Sequence, residues 1–409
     1  MKILACADIH LGRIPATPRT TSLSNSSAWE SVVTTAIKEK VDVIAIAGDV
    51  IDQDEAWFEA FGPLLKQVKR LDDHGISIVT VAGNHDHRVF PRLGEEGASI
   101  HILGLGGTWE SIDLDGIRFI GWSFPSSTYS ADPFASFDKR LLDFSGPVLG
   151  LLHCNIDGQV GNDRYAPVPS NRFSTHSKAF WVLGHIHKSH LDNEYLYCGS
   201  PMALDSGECG RHGVWILESN KSSWAKPRFI QLCTYRFENC EIKLDNETAH
   251  DNLTAYIQKD LKEYSNEIAK EQFSGKLYCK LTFTGTISPG FNLQQSLNGD
   301  QLDAWEFPEV NGIEISPLPD YEDLTILELD LEELSKGIGP KALLAQKLID
   351  VDSSEDLINQ TESMIKESIN ARAFSLVQEL DVSEDSIDTA LLIRRAGMLL
   401  LRRMVSQGE

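Results

Sequence analysis

The chain has 409 residues and a formal net charge of −23, and 42% of its residues are apolar. This composition predicts a folded protein of two or three domains and excludes an intrinsically disordered chain. No apolar run approaches the roughly 20 residues that a membrane helix needs, and residues 1–7 are too few for a signal-peptide core. The seven cysteines include no CxxC pair, which argues against a disulfide framework and a structural zinc site. We therefore expect a cytoplasmic protein with no membrane segment.

The negative charge is concentrated in the second half of the chain. Residues 1–240 carry 22 Lys and Arg against 28 Asp and Glu, whereas residues 281–335 contain 12 acidic residues and no basic one. A polyanionic substrate can therefore still bind the first half, above all where divalent ions reverse the local field. The acidic run is predicted to be a solvated surface, and a specific partner-binding role is the alternative.

Residues 1–235 alternate between short apolar runs and amphipathic stretches, which is the pattern of a layered α/β domain. A capping box at Ser27 and Glu30 predicts a helix that runs to about residue 39. Apolar residues at three- and four-residue spacing predict a second helix over residues 57–71, which Gly75 ends. Short connections favour a mixed sheet for the later strands, which are predicted at residues 117–122, 148–152, 180–183, 194–198 and 213–218.

The pattern changes after about residue 240. A helix is predicted at residues 252–266 and a half-buried strand at residues 276–284, which is typical of a small α+β domain. Helix-forming residues dominate from residue 337 onwards, and the last helix is predicted at residues 387–405. We therefore expect an α/β domain in residues 1–240, a small α+β cap or accessory domain in residues 241–334, and a helical partner-binding segment in residues 335–409.

Five of the apolar runs are followed within a few residues by side chains that can bind a metal ion. Together they supply seven nitrogen or oxygen ligands: Asp8, His10, Asp49, Asn84, His153, His185 and His187. Seven such ligands are too many for one ordinary metal centre. They suit two neighbouring ions that share Asp49, the arrangement that activates water for attack on a phosphate ester. Burying so many Asp and His side chains without ions would be costly, which favours coordination over a structural role.

Two further residues are candidates for catalysis. His85 follows the ligand Asn84, so its ring can face a bound phosphate and protonate the leaving oxygen or stabilise developing charge. Asp52 lies three residues beyond Asp49 and is expected to hydrogen-bond His85, fix its tautomer and raise its pKa. The alternative is that Asp52 is a local turn or cap residue. Asp86 is expected to start a helix.

The order and spacing of these motifs resemble those of the calcineurin-type metallophosphoesterase superfamily. Within it, the chain resembles the SbcD-type DNA-repair exonucleases, and its length and short helical tail are most similar to the YhaO-like subgroup. Residues 8–13, DIHLGR, are similar to the first motif of these nucleases. Residues 197–208, YCGSPMALDSGE, are similar to the strand and loop that follow their last ligands. The motif similarity covers about the first 220 residues.

The resemblance implies a layered sandwich of mixed β-sheets flanked by helices. It implies that one divalent ion is held by Asp8, His10, Asp49 and His187, and that the other is held by Asp49, Asn84, His153 and His185. The preferred ion in the family is usually Mn²⁺, and mixed Asp, His and Asn ligands suit Mn or Fe better than Ca or Mg. It implies further that His85 is catalytic with Asp52 as its orienter, that the substrate is DNA, and that the partner is an SbcC-like coiled-coil ATPase.

Other assignments have open alternatives. Four residues are candidates for contacts with backbone phosphates, or are ordinary surface and loop residues: Arg13, Arg88, Lys188 and Ser200. The apolar residues of the last helix are expected to dock on the ATPase or on a second copy in a homodimer, with packing inside the chain as the alternative. The acidic charge favours a rival substrate, namely a nucleotide, a cyclic nucleotide or a phosphoprotein. The second rival is a non-catalytic scaffold, against which the intact ligand set argues.

Overall fold

The computed structural model describes residues 1–13, 16, 25–52, 57–89, 100–158, 165–220, 223–245, 253–288, 291–297, 302, 307, 309–351, 354–369 and 389–406. The chain divides into two compact units. The first comprises residues 1–238, 265–279 and 308–316, and the second comprises residues 239–264, 280–307 and 317–409. The three-part division at residues 240 and 334 that the sequence predicts stays a prediction.

The first unit contains two six-stranded sheets. In the first sheet, β1 (Lys2–Cys6), β2 (Val43–Ala47), β3 (Ser77–Val81) and β4 (Ile100–Ile102) are parallel neighbours in that order. On the other side of β1, β13 (Gly213–Glu218) pairs antiparallel with it, and β14 (Arg228–Gln231) pairs antiparallel with β13.

The second sheet has the strand order β11 (His190–Leu191), β12 (Tyr195–Tyr197), β10 (Ala179–Gly184), β7 (Val148–His153), β6 (Ile117–Trp122) and β5 (Trp109–Leu114). Its four central strands are parallel, and its two edge strands are antiparallel to their neighbours. Strands β8 (Asn155–Ile156) and β9 (Pro167–Val168) form a separate parallel pair. The mixed α/β architecture that the sequence predicts is therefore confirmed.

Strand β1 shows how the layers form. Successive side chains of a strand point to opposite faces of the sheet. Ile3 and Ala5 accordingly share a core cluster with Phe119 of the second sheet, whereas Leu4 shares a different cluster with Trp29 of the helical layer. Because both faces of the central parallel strands are covered, those strands are near-continuous apolar runs.

Helices cover the outer face of the first sheet. They are α1 (Asn25–Glu39) and α2 (Trp57–Asp72), both close to the helices that the sequence predicts. Helix α1 begins two residues before Ser27, so the predicted capping box does not mark its start. The outer side of the second sheet is covered by an aromatic cluster that includes Phe134 and Phe173, from the 3₁₀ turn Pro133–Ser136 and from α3 (Asn171–Thr175). A second 3₁₀ turn is Lys139–Leu142.

The remaining elements follow β14 in the chain. A third sheet has the order β15 (Tyr235–Leu244), β16 (Gly275–Ile287) and β17 (Ile313–Asp323), with β18 (Ile326–Leu327) paired to β16. The helices are α4 (Leu253–Lys270), α5 (Leu293–Ser296), α6 (Leu331–Ser335), α7 (Pro340–Ile349), α8 (Glu355–Ile369) and α9 (Thr389–Ser406). Leu348 and Leu401 belong to a small core in the second unit. Among the described residues, no helix has the length and apolar character needed to cross a membrane.

Candidate metal centre and active site

The seven predicted metal ligands lie at or just beyond the carboxyl ends of five parallel strands, β1, β2, β3, β7 and β10. Ligands in open α/β sheets bind at this edge, because the loops there converge. The two sheets meet at Asp49, whose Oδ2 atom lies 3.2 Å from His153 Nε2 and 4.0 Å from His10 Nε2. Asp49 lies just beyond a strand of the first sheet, and His153 is the last residue of a strand of the second. The structure therefore brings the strand-end motifs together in one cluster.

Four of the candidate ligands have left-handed backbone conformations. The φ angles are 53° at Asp8, 49° at His10, 51° at Asp49 and 91° at His185. Such conformations cost on the order of 1–3 kcal/mol each for a residue other than glycine, and they gather at functional sites. The surrounding loops hold these four residues in strained turns that aim their side chains at the cluster.

Two glycines make the close approach of the loops possible. A β carbon at Gly83 would collide with the Asp49 carboxylate, and one at Gly184 would collide with the backbone carbonyl of Ala47. Any side chain at either position would push the loop after β3 or the end of β10 away from the end of β2. These glycines explain why the motifs around Asn84 and His185 each begin with Gly.

The first group of candidate ligands comprises Asp8, His10 and His187, next to Asp49. Their metal-binding atoms lie within 4.8 Å of one another. His10 Nε2 and His187 Nε2 are 3.2 Å apart, and His187 Nε2 is 3.9 Å from Asp8 Oδ1. Asp8 and His10 are buried, whereas a quarter of the His187 side chain is exposed. The group therefore opens to solvent on the side of His187.

The second group comprises Asp49, Asn84, His153 and His185. His153 Nε2 lies 3.1 Å from Asn84 Oδ1, and its other nitrogen, Nδ1, donates to the Ala47 carbonyl at 2.9 Å. The rings of His153 and His185 are 5.2 Å apart. His185 Nε2 is buried and has no hydrogen-bond partner among the described residues. A buried nitrogen without a partner is costly, and a metal ion would satisfy it.

The hydrogen bonds of the first group show that its residues fit a cation. Nδ1 of His10 lies 2.9 Å from Asp52 Oδ1, and Nδ1 of His187 lies 2.6 Å from Glu208 Oε1. Because a carboxylate accepts hydrogen bonds, each Nδ1 carries the proton and each Nε2 presents a lone pair when the ring is neutral. Two lone pairs that face each other at 3.2 Å beside two carboxylates form a cation site.

The pKa values of the imidazoles agree with a cation site. Burial opposes the charge of His187, but Glu208 and Asp8 outweigh it and raise its pKa to about 9. In the same way, Asp49 raises the pKa of His153 to about 9 against the effect of burial. Burial and the charge of His153 lower the pKa of His185 to about 3. The carboxylates therefore stabilise positive charge at this position, and metal ions compete there with protons.

Asp52 bonds His85 as the sequence predicts, but through its backbone carbonyl, because its carboxylate has a different partner. Its carboxylate bonds His10, whereas His85 Nδ1 donates to the backbone carbonyl of Asp52. The expected carboxylate contact with His85 is therefore corrected. The physical reason is the backbone, because Asp52 N donates to the Leu11 carbonyl at 3.0 Å. This bond places residue 52 alongside residues 10–11 and directs the Asp52 side chain towards His10. Burial disfavours ionisation of Asp52, but the hydrogen bond and charge of His10 lower its pKa.

Glu208 is a functional candidate to which the sequence motifs assign no role. Its Oε1 bonds His187, and its Oε2 accepts from Leu204 N at 2.9 Å and from Ser200 Oγ at 3.1 Å. Ser200 is 1% exposed, and its hydroxyl also lies 3.0 Å from His212 Nδ1. The predicted substrate contact of Ser200 is corrected, because this buried hydroxyl supports Glu208. The sequence feature that could have identified Glu208 is its position as the last residue of the segment 197–208.

Asp86 also differs from its expected role. Residues 84–89 form turns, and Asp86 starts no helix among the described residues. Its buried carboxylate accepts from Val50 N and from Gly83 N, both at 2.7 Å. Burial and the negative charge of Asp49 raise its pKa to about 8. Asp86 therefore joins the loop that carries Asp49 to the loop that carries Asn84.

The three other candidate substrate contacts are accessible. Arg13 lies in the loop after β1, 3.5 Å from Asp205, with about a third of its side chain exposed. Arg88 and Lys188 are exposed, in the loops after β3 and β10. Their contacts with substrate stay a prediction.

The fold and this cluster agree with a comparison of the chain with known protein families. The calcineurin-like phosphoesterase family matches residues 1–189. These residues form a calcineurin-like metallophosphoesterase domain. The matched region contains all seven candidate ligands and His85. Metallophosphoesterases of this family use two divalent ions, which is the number that the two ligand groups can hold.

Related proteins extend the similarity beyond the metallophosphoesterase domain. The chain is 28% identical over 277 residues to the metallophosphoesterase YhaO of Bacillus subtilis, covering 64% of this chain and 62% of that protein. It is 25% identical over 270 residues to the SbcD component of the nuclease SbcCD of Staphylococcus epidermidis, covering 57% and 70%. It is 19% identical over 270 residues to the DNA double-strand break repair protein Mre11 of Nanoarchaeum equitans, covering 59% and 71%. The chain thus covers less than two thirds of the first of these relatives.

Replacement of Glu208 tests the carboxylate–histidine pair that Glu208 and His187 form at the candidate metal centre. We expect Glu208→Gln to weaken metal binding about 10- to 100-fold, because the partner of a ligating histidine fixes its tautomer and raises its basicity. Titration calorimetry of the metal-free protein with Mn²⁺ measures the effect. Glu218→Gln, an exposed carboxylate on β13, is the matched control. Equal Mn²⁺ affinities in Glu208→Gln and the wild type would contradict a role for Glu208 in metal binding.

Proposed function

We propose that the protein is a phosphodiesterase that uses two divalent ions, with Mn²⁺ favoured by the ligand chemistry, to hydrolyse DNA during repair in the cytoplasm. The observation that carries the proposal is the position of Asp49 between the imidazoles of two ligand groups, beside His85. Mixed Asp, His and Asn ligands favour Mn or Fe over Ca or Mg. None of the seven cysteines forms a disulfide in the described structure, which is typical of a reducing compartment.

The metal ligands divide into two sets in this proposal. Asp8, His10 and His187 would hold one ion, Asn84, His153 and His185 would hold the other, and Asp49 would be shared. When bound, such a pair of ions activates a water molecule and neutralises charge on the phosphate. Asp52 and Glu208 orient the imidazoles of the first set, and the Ala47 carbonyl orients His153.

His85 is the proposed general acid. Its backbone N–H donates to Asp49 Oδ1 at 3.0 Å, which fixes the residue beside the shared ligand. Its Nδ1 donates to the Asp52 carbonyl, so that nitrogen is committed to the protein. Nε2 is then the atom that can hold a proton for the leaving oxygen. Asp52 positions His85 through its backbone and His10 through its side chain.

The names of the relatives support DNA as the substrate, and the name of the SbcCD component supports a second subunit as the partner. They include a nuclease component and a DNA double-strand break repair protein. An SbcC-like coiled-coil ATPase is the proposed partner, and a second copy of the chain is the alternative. Helix α9 supports a docking role, because its exposed residues include Leu392, Leu399 and Leu400. Exposed leucines of this kind suit an apolar partner surface.

A small phosphodiester is the second candidate substrate. The observation that favours it is the net charge of −23, because a negatively charged protein repels a long polyanion more than a single nucleotide. The ligand groups would serve both substrates equally well.

A direct assay separates the two candidates. The full-length protein with Mn²⁺ is expected to cut end-labelled single- or double-stranded DNA and also to hydrolyse bis(4-nitrophenyl) phosphate. Hydrolysis of the small ester with DNA left intact would rule out the nuclease in favour of the small-substrate enzyme. If neither is cut in repeated trials with and without the partner ATPase, the protein is a scaffold.

A further inference from the structure

A basic groove lies in the first unit, outside the candidate metal centre. Two cavities of about 430 and 520 Å³ share the residues Arg211, Phe229 and Glu271 and therefore form one continuous depression. Lys188, which follows the candidate ligand His187 directly, lines the smaller cavity, and Lys270, in the last turn of α4, lines the larger one. We refer to this depression as the Arg211 groove.

The charge of the Arg211 groove is positive, although the chain as a whole carries −23. Five basic side chains line it against two acidic ones: Lys188, Arg211, Arg228, Arg236 and Lys270 against Glu238 and Glu271. Arg228 and Lys270 are paired with carboxylates that do not line the groove, Glu39 and Glu267. The excess of positive charge is therefore carried mainly by the remaining three basic residues.

The two carboxylates of the groove are held by one buried arginine. Arg236, with a 9% exposed side chain, bonds Glu238 through Nε and Glu271 through one terminal nitrogen at 2.7 Å. Arg211 lies farther from Glu271, at 3.6 Å, and nearly half of its side chain is exposed. Lys188 makes no ion pair in the part of the chain that the structure describes. Arg211 and Lys188 are thus the exposed cations of the groove that are least engaged by carboxylates of the described residues.

The walls of the groove are already ordered. The Arg211 guanidinium lies over the Phe229 ring, 5.1 Å from its centroid, which holds a flat cationic surface against an aromatic one. Trp215 Nε1 donates to Ser189 Oγ at 2.9 Å and so fixes the loop after Lys188. A preformed surface loses less conformational entropy when a ligand binds.

We infer, on the basis of the proposed function, that the Arg211 groove binds the phosphodiester backbone of a nucleic-acid strand whose scissile phosphate lies at the metal centre. A set of cations that includes the residue next to the candidate ligand His187 suits a chain that carries one charge per nucleotide. A guanidinium stacked on an aromatic ring also offers a face to bases of any sequence. An acidic peptide would interact only with the basic side chains of the groove and not with the Arg211–Phe229 surface.

The test measures binding of a short fluorescein-labelled oligothymidylate with phosphorothioate linkages, which keep the charge and slow cleavage, by anisotropy at several NaCl concentrations. The protein is the full-length chain with Mn²⁺. We expect Arg211→Ala and Lys188→Ala each to raise Kd about five- to tenfold and to reduce the salt slope by about 0.7, the value for one phosphate contact on a single strand. Arg140→Ala, an exposed arginine outside the groove, is the matched control and is expected to behave like the wild type.

The outcomes distinguish this inference from the proposed function. Wild-type affinity in both Arg211→Ala and Lys188→Ala would contradict nucleic-acid binding in the Arg211 groove, but it would not contradict the proposed nuclease activity. If the wild type hydrolyses bis(4-nitrophenyl) phosphate but does not bind the oligonucleotide, DNA is not the substrate. The proposed nucleic-acid binding in the Arg211 groove is then contradicted as well. Equal competition by polyglutamate of the same charge would overturn the nucleic-acid ligand in favour of an acidic peptide.

Discussion

Asp49→Asn is expected to lower the turnover of bis(4-nitrophenyl) phosphate at least about 10³-fold, because the charge stabilisation that a metal site supplies is worth several kcal/mol. Asp49 Oδ2 approaches imidazoles of both ligand groups, and Oδ1 accepts from His85 N. An amide has the same shape but lacks the negative charge, so it holds two cations poorly. The bound Mn²⁺, counted by elemental analysis after gel filtration, should fall below two ions per chain.

The substitution is well suited to separate charge from folding. Asp49 has a left-handed backbone with φ of 51°, and Asn adopts this conformation as readily as Asp. Asp115→Asn is the matched control, since Asp115 also has a positive φ, of 45°, but lies exposed in the turn between β5 and β6. Two bound ions and turnover within tenfold of the wild type in Asp49→Asn would contradict the role of Asp49 as the shared ligand.

The set of candidate ligands could be predicted because each ligand belongs to a local pattern. An apolar run predicts a buried strand, and a polar residue with a neighbouring glycine predicts the loop that follows it. Asp8 and His185 belong to different sheets, yet both follow parallel strands, and parallel strands place their carboxyl ends at one edge. The local sequence was therefore sufficient to predict that these side chains lie at the carboxyl ends of parallel strands.

The partners of the ligands could not be predicted in the same way. Asp52 lies 42 residues from His10 in the sequence, and Glu208 lies 21 residues from His187. Which nitrogen a carboxylate reaches depends on how two loops are aligned, and a short motif does not contain that information. Proximity to Asp49 in the sequence favours a pairing of Asp52 with His85, whereas the backbone bond to Leu11 directs the Asp52 side chain to His10.

The division of the chain shows the same limit. The first unit takes up residues 265–279 and 308–316, which follow parts of the second unit in sequence. A change of composition near residue 240 marks where a pattern ends, but it does not show where a later segment of chain returns. The sequence predicts β16 as a strand at residues 276–284, but it does not show that this strand is divided between the two units.

His85→Ala is expected to lower kcat on DNA about 10²- to 10⁴-fold, the usual contribution of a general acid. The alkoxide that leaves from DNA needs a proton, whereas nitrophenolate leaves readily without one. Hydrolysis of bis(4-nitrophenyl) phosphate should therefore fall much less than hydrolysis of DNA. Both reactions are measured with saturating Mn²⁺ and accompanied by metal analysis, which should still give two ions, since His85 belongs to neither predicted ligand set.

The ratio of the two losses decides what His85 does. His74→Ala is the control, because His74 is an exposed histidine just after α2 that bonds the Arg70 carbonyl. Equal losses on DNA and on the nitrophenyl ester would contradict proton donation and would assign His85 to charge stabilisation on the phosphate, which both substrates need. A loss below tenfold on DNA would remove His85 from catalysis. Only a large loss that is confined to the poor leaving group supports proton donation from Nε2, the nitrogen that remains for the substrate while the Asp52 carbonyl holds Nδ1.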